Sequence, residues 1–242
     1  MEAFTNSTLE NVQQALRQRI RPEKAAHYPK FFQAHAGGYG EGDHFLGVVV
    51  PDNRAIARAH WQQLEPEALS PLLLSTWHEE RLCGLFMLLE RYKKSKTEAE
   101  KEACVQCYLQ HLPGVNNWDL VDATAYDLLG HWLLKRERSL LYTFAAAGDL
   151  WRQRIAVVAT LAFIRKGQFT DTLKLAEKLM QHRHPLMHKA IGWMLRESGK
   201  KDELVLVEFL DQHYKNMPRT MLRYAIERFP ENRRKAYLKG AV

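Results

Sequence analysis

The segment WRQRIAVVATLAFIRKG, residues 151–167, decides the fold. Its apolar residues recur with the 3.6-residue period of a helix buried over a wide face, and it closes on a glycine, where helices stop. The same period governs STLENVQQALRQRI, NRAIARAHWQQL, EERLCGLFMLLERYKK, DLVDATAYDLLGHWLL, TDTLKLAEKLMQH, KAIGWMLRES, DELVLVEFLDQHY and RTMLRYAIERF. Between them lie AGGYGEGD, HLPGVNN, AAAGD, HRHP and NMP, whose glycines and prolines end or begin helices. Only FLGVVV offers a β-branched run, so the chain reads as all-α.

Superposing the second helix of each apparent pair exposes a repeat. RLCGLFMLL begins at Arg81, DATAYDLLG at Asp122, RIAVVATLA at Arg154, KAIGWMLRE at Lys189 and TMLRYAIER at Thr220, spaced by 41, 32, 35 and 31 residues. Two-helix repeats of the tetratricopeptide and HEAT-like kind have periods of roughly 34 to 47 residues. A helical hairpin of this size cannot bury its apolar face alone and must stack on the next. The expectation is one curved solenoid domain over residues 1–242, with about five to six helical pairs, the helices of residues 8–65 capping it.

Of the 242 residues, 46% are hydrophobic, enough for a real core and against disorder as the default. The net charge of +7 and pI near 9.3 suit an acidic partner such as nucleic acid or a membrane surface. From Lys215 to Val242 eight basic residues face only Glu227 and Glu231, so this end alone carries +6. Three cysteines, Cys83, Cys104 and Cys107, fit a reduced intracellular chain, and CVQC sits in an amphipathic helix with no second CxxC to complete a zinc site. Pro185 separates His184 from His188, and no glutamate follows His184 as a catalytic zinc motif requires, so no metal is expected. The N-terminus lacks a charged-then-apolar signal and no run of 18 apolar residues occurs, which predicts a cytoplasmic protein.

In NNWDLVD, residues 116–122, Asn117 at a helix cap would put Asp119 in the first turn, where the positive end of the macrodipole favours a carboxylate. Asp122 lies a full turn on and shares a face with Trp118. The first slots of the repeated helix are Arg81, Asp122, Arg154, Lys189 and Thr220, one acid among three bases. Inner helices of a solenoid line its concave face, so Arg154 and Lys189, with Arg196 and Arg223 further along, are expected to attract phosphates. Two plainer readings stand beside this one: Asp122 pairs with Arg154 across adjacent repeats, and the tryptophans are core residues.

NNWDLVD, LWRQRIAVVATL, HKAIGWMLRE and MPRTMLRYAIERF, with FLGVVVPDNRAIA before them, resemble the AlkD family of HEAT-repeat DNA glycosylases from about residue 20 to the C-terminus. The resemblance implies a right-handed superhelix with a concave DNA-binding groove, acting as a monomer without metal or cofactor and without an obligatory protein partner. It implies a nucleoid-associated base excision repair enzyme that releases N3- or N7-alkylated purines from duplex DNA without base flipping and without lyase activity. Trp118, Asp122, Arg154 and Trp193 match the family's lesion-surrounding positions. Tyr39 matches its lesion-side tyrosine, and Arg54, Arg58 and Arg219 join the phosphate contacts. Alkylation makes the purine a cationic leaving group, and positive charge develops on the sugar as the bond stretches, so Asp122 would stabilise that charge and orient water. Trp118 and Trp193 offer π faces to the cation, and Arg154 holds the flanking phosphate. Some members carry a second tryptophan where this chain has Asn117, which bears on lesion preference. Two competitors remain: a non-catalytic repeat protein binding distorted or branched DNA through the same basic groove, and a protein-interaction scaffold.

Overall fold

The computed structural model describes residues 2–242, with side chains from Ser7 onward, and among these residues it is all-α. The chain packs as two compact units, Met1–Leu120 and Val121–Val242. The first contains α1 (Glu2–Arg17), α2 (Pro22–Phe31), α3 (Val50–His60), α4 (Ser70–Leu73), α5 (His78–Lys94) and α6 (Glu98–Gln110). Helix α7 (Trp118–Thr124) holds the boundary. The second unit contains α8 (Ser139–Ala146), α9 (Leu150–Ala159), α10 (Leu161–Ile164), α11 (Thr170–Lys178), α12 (Pro185–Lys201), α13 (Glu203–His213), α14 (Arg219–Ala225) and α15 (Glu231–Lys239). The five repeat starts fall on α5, α7, α9, α12 and α14, and each is followed in sequence by one partner helix, or by α10 and α11 after α9.

Local chemistry sets the helix ends. Thr97 and Glu100 form a reciprocal capping box at α6, Asp149 accepts from Arg152 N at 2.7 Å to start α9, and Asp202 accepts from Leu204 N at 3.0 Å to start α13. Pro185 opens α12, whose first amides are met by the His184 ring: Nδ1 accepts from Leu186 N at 3.1 Å. That use of Nδ1 is a helix-capping role. Burial holds the His184 pKa below its ordinary value, with His182 and Arg154 adding to the effect, which keeps the ring neutral and able to accept.

FLGVVV makes no strand. Instead the amides of Leu46, Gly47 and Val48 donate to the buried Glu79 carboxylate at 2.9, 2.7 and 3.2 Å, so an extended loop is satisfied by a side chain where a sheet would have used a neighbour. The sole pairing of β type among the described residues is an isolated bridge between His44 and Trp77. DLVDATAYDLLGHWLL, expected as one helix, is broken: α7 ends at Thr124 and a π-helical turn covers Tyr126–Gly130. The extra residue rotates Gly130 against α9, where a Cβ would stand 2.1 Å from the Ala159 carbonyl oxygen. Cys104 and Cys107 lie on the buried face of α6, and burial pushes their thiols up to about 11 and about 12, away from thiolate chemistry.

The second unit centres on α12, which packs on α9, α11, α13 and α14 and buries Met187, Ala190, Ile191, Met194 and Leu195. Gly192 lets α14 approach: a Cβ there would lie 2.5 Å from both the Met221 carbonyl oxygen and the Tyr224 Cβ. Overpacking a well-packed contact costs about 1–3 kcal/mol. Gly192→Ala is therefore expected to lower unfolding free energy by about that amount, read as a lower urea midpoint at unchanged m; an unshifted midpoint contradicts the close approach.

Candidate active site

Trp118 opens α7, half-buried, with its ring stacked on Phe32 at 5.7 Å and 28° and meeting Phe31 edge-on at 5.9 Å and 67°. Phe31 ends α2 and is 50% exposed, unusual for a phenylalanine and the mark of an aromatic edge presented to solvent. Tyr39, the residue expected on the lesion side, donates its hydroxyl to the Phe31 carbonyl at 3.5 Å. Asn117 is fully buried and accepts from the Trp118 amide at 2.9 Å.

Behind this surface lies a buried charge network. His78, the first residue of α5, is 2% exposed, with Nε2 at 2.8 Å from Asp119 Oδ2 and Nδ1 at 3.3 Å from Asp43 Oδ2. Its ring is flanked by Phe32 at 4.8 Å and Phe45 at 5.1 Å. Arg81 donates to Asp43 Oδ1 at 2.7 Å and to the Ser75 carbonyl at 2.7 Å. Burial alone would lower the His78 pKa, but the Asp119 charge and the hydrogen bonds that the ring donates to both carboxylates outweigh it and raise the group to about 9; Arg81 opposes them. A carboxylate at each ring nitrogen favours the imidazolium at neutral pH, with both nitrogens donating. Arg81, the first basic slot, is only 3% exposed, and a guanidinium so buried needs the carboxylate beside it.

In the second unit Asp122 and Arg154 meet. Arg154 Nε and Nη2 donate to Asp122 Oδ1 and Oδ2 at 2.9 and 2.7 Å, a bidentate fork between α9 and α7, and Nη1 donates to the Leu186 carbonyl at 2.5 Å. The Arg154 side chain is 5% exposed and that of Asp122 21%. Arg154, expected on a phosphate, is instead committed through all three nitrogens, and its work here is to hold a carboxylate in one orientation. Asp122 remains partly exposed. Trp193 stands two turns beyond Leu186 on α12, about 10 Å along the axis. It lines a cleft of about 420 Å³ with Leu161, Ile164, Arg165, Glu197 and Lys200, to which Asp122 and Arg154 do not contribute.

The remaining basic residues divide by partner. Arg54 lies 3.9 Å over the Phe86 ring, Arg58 pairs with Glu90 at 3.4 Å, and Arg196 pairs with Glu197 and Glu227. Arg219 is exposed and donates one nitrogen to the Leu238 carbonyl at 2.7 Å. Lys189 and Arg223 are exposed, and neither forms an ion pair among the described residues. Two contributors escaped the sequence reading: Phe31, whose only signal was a second aromatic beside Phe32, and His78, whose signal was its place just before the repeat start at Arg81.

A family model for the DNA alkylation repair enzyme matches residues 12–229. No curated protein sequence matches the chain. Among solved structures, the chain is similar to a predicted DNA alkylation repair enzyme from Enterococcus faecalis, with 18% identity over 88% of this chain and 98% of that one and a TM-score of 0.68. At that identity the likeness concerns the fold alone.

Two outcomes follow from the paired charges. Arg154→Ala leaves a mostly buried carboxylate without its partner and is expected to cost about 3 kcal/mol in urea unfolding; a cost under about 0.5 kcal/mol would mean a solvated pair. His78 has its pKa raised from 6.5 to about 9, so its contribution to stability is complete below pH 6.5 and lost as pH rises through 9. The unfolding free energy of wild type minus that of His78→Gln should shrink between those limits, and a difference flat in pH would mean that the ring is neutral.

Proposed function

Because the chain belongs to the DNA alkylation repair enzyme family, we propose that it is a DNA glycosylase that hydrolyses the N-glycosidic bond of cationic N3- or N7-alkylpurines in duplex DNA, with Asp122 as the anion facing the reacting sugar. The observation that carries this reading is a carboxylate gripped by Arg154 in a bidentate fork yet still one-fifth exposed. A fixed, partly open carboxylate costs no reorganisation when charge develops beside it. Asp122 is also one helical turn after Trp118 on α7, the spacing that puts an aromatic and an acid on one helix face.

The chemistry balances without a further reactant. As the N-glycosidic bond breaks, its electron pair moves to the purine and cancels the alkylation charge. Water then adds to the sugar carbon and loses a proton, leaving free base and an abasic site with the strand intact. No lyase step, metal or cofactor enters the reading, and the aromatic faces of Trp118 and Phe31 suit a cationic base left in the stack. Magnitudes decide what Asp122 adds. A unit anion 4 Å from a unit cation at an effective dielectric of 20 contributes about 4 kcal/mol, and a guanidinium about twice as far away returns about half. The pair therefore favours the sugar cation by about 2 kcal/mol net, less than a lone carboxylate would.

Removing the carboxylate while keeping the arginine turns that help into repulsion. Asp122→Asn is expected to slow release of base from alkylated duplex by about 10²–10³-fold in single turnover. Asp122→Asn combined with Arg154→Met should recover part of the loss, since the repelling charge is gone. Equal release by wild type and Asp122→Asn would sink the assignment. The closure of Asp122 on Arg154 favours one rival, a non-catalytic protein that binds distorted or branched DNA; on that reading alkylated duplex stays intact in the same assay.

Lys189 and Arg223 are the proposed phosphate contacts, with Arg219 beside them in sequence. Each phosphate neutralised on B-DNA contributes about 0.9 to the slope of log affinity against log salt. Lys189→Ala and Arg223→Ala should each lower that slope by about 1, measured by fluorescence anisotropy on undamaged duplex. An unchanged slope removes that residue from the interface.

A further inference from the structure

Three features of the first unit converge on one residue. Asp119 follows Trp118 directly, and one of its oxygens, Oδ1, is buried without a protein partner, so the bond from His78 Nε2 to Oδ2 is the main offset to its charge. Phe32 carries the face of Trp118 and rests on the His78 ring. On its far side the ring reaches Asp43, which Arg81 holds in place. Trp118 is thus braced twice through the same imidazole, once along the backbone and once through Phe32.

We propose that His78, bridging Asp43 and Asp119 beneath Phe32, is a positioning residue that fixes the first turn of α7 and with it the angle at which Trp118 meets a damaged base. The role rests on the glycosylase reading only in naming what Trp118 meets; the clamp itself is a property of the free protein. Side-chain chemistry explains the choice. A flat ring with donors at opposite ends can join two carboxylates while lying among aromatic rings; a glutamine donates from one end only, and a lysine has no plane to stack. The charged and titratable groups around the ring are Asp43 from the loop before α3, Asp119 from α7, Arg81 from its own helix and Tyr28 from α2. Burial, and then Glu79, pushes the Tyr28 hydroxyl up. Glu79 itself turns away, into the amides of Leu46, Gly47 and Val48.

A purely structural ion pair would predict loss of stability and nothing more, so the test reads geometry at Trp118. In the wild-type protein labelled with ¹⁵N, both His78 ring nitrogens should carry protons at pH 8, and the Trp118 indole N–H resonance, assigned with Trp118→Phe, should shift with a midpoint near 9. In His78→Gln that shift should vanish. Single-turnover base release should fall at least tenfold in His78→Gln, and the double variant with Trp118→Ala should be no slower than Trp118→Ala alone, because both changes remove the same positioning. Wild-type release should also decline as pH rises through about 9, with no such decline in His78→Gln.

A neutral His78 at pH 8, a Trp118 resonance indifferent to its titration, or losses that multiply in the double variant would each overturn the proposal. Should wild type release no base at all, the glycosylase reading falls and the resonance arm decides the clamp alone. His78→Gln that does not fold leaves the two wild-type resonance measurements as the deciding ones.

Discussion

A guanidinium buried at the start of a repeated helix must have a carboxylate against it, and that constraint organises both units. Arg81 at 3% exposure meets Asp43, and Arg154 at 4% meets Asp122. In each case an arginine at the same slot of its repeat needs an anion from another element, because a lone charge out of water costs several kcal/mol. The consequence reaches function. The Arg81 and Arg154 slots are therefore neutral pairs and not free cations for a phosphate backbone, whereas the equivalent slot at Lys189, and Arg223 on α14, keep their positive charge exposed. Asp122, an oddity among basic slots in the sequence, is the required partner of one of them, and its partial exposure is what a catalytic role has to work with.

Helix α7 is built to serve two masters. It is seven residues long, too short to be stable on its own, and passes almost directly into a π-helical turn at Tyr126–Gly130. A continuous α-helix would tie the face of Trp118 and Asp122 rigidly to the face that Leu128, Leu129 and Gly130 bury. The extra residue of the π turn, seen in the Gly130 N to Ala125 O bond of 2.8 Å, breaks that tie and lets Gly130 seat against Ala159 while Asp122 turns to Arg154. Such turns cost packing regularity and are found where a side chain has to be aimed.

How much of this the sequence disclosed depends on the range of the interaction. The helical period of residues 151–167 survives as α9 and α10, and all five repeat starts sit on separate helices, because amphipathic periodicity is a local signal that burial reinforces. The pairing of Asp122 with Arg154 was visible as one of two readings, since equivalent slots in adjacent repeats come together. Bonds between side chains and distant loops left no trace. Nothing periodic announces that Glu79 will cap the amides of Leu46, Gly47 and Val48, or that Asp43 will hold Arg81 and His78. The same holds for Phe31: a phenylalanine ending a helix reads as core, and only its 50% exposure beside Trp118 singles it out.

The charge count of the first unit's network bears on how geometry and electrostatics can be told apart. With His78 and Arg81 positive and Asp43 and Asp119 negative, the cluster behind Trp118 sums to zero, so a cationic purine would meet the indole quadrupole without a net field opposing it. Deprotonating His78 leaves the cluster one unit negative. By charge alone that change would draw a cation closer and favour a cationic leaving base in the bound state. By geometry it breaks the bond that holds Asp119, frees the first turn of α7 and removes the plane on which Phe32 rests. Because the base loses its charge as the bond breaks, both effects slow release from the bound state; they part in affinity, since charge alone tightens binding of alkylated over undamaged duplex as pH rises, whereas lost geometry at Trp118 loosens it.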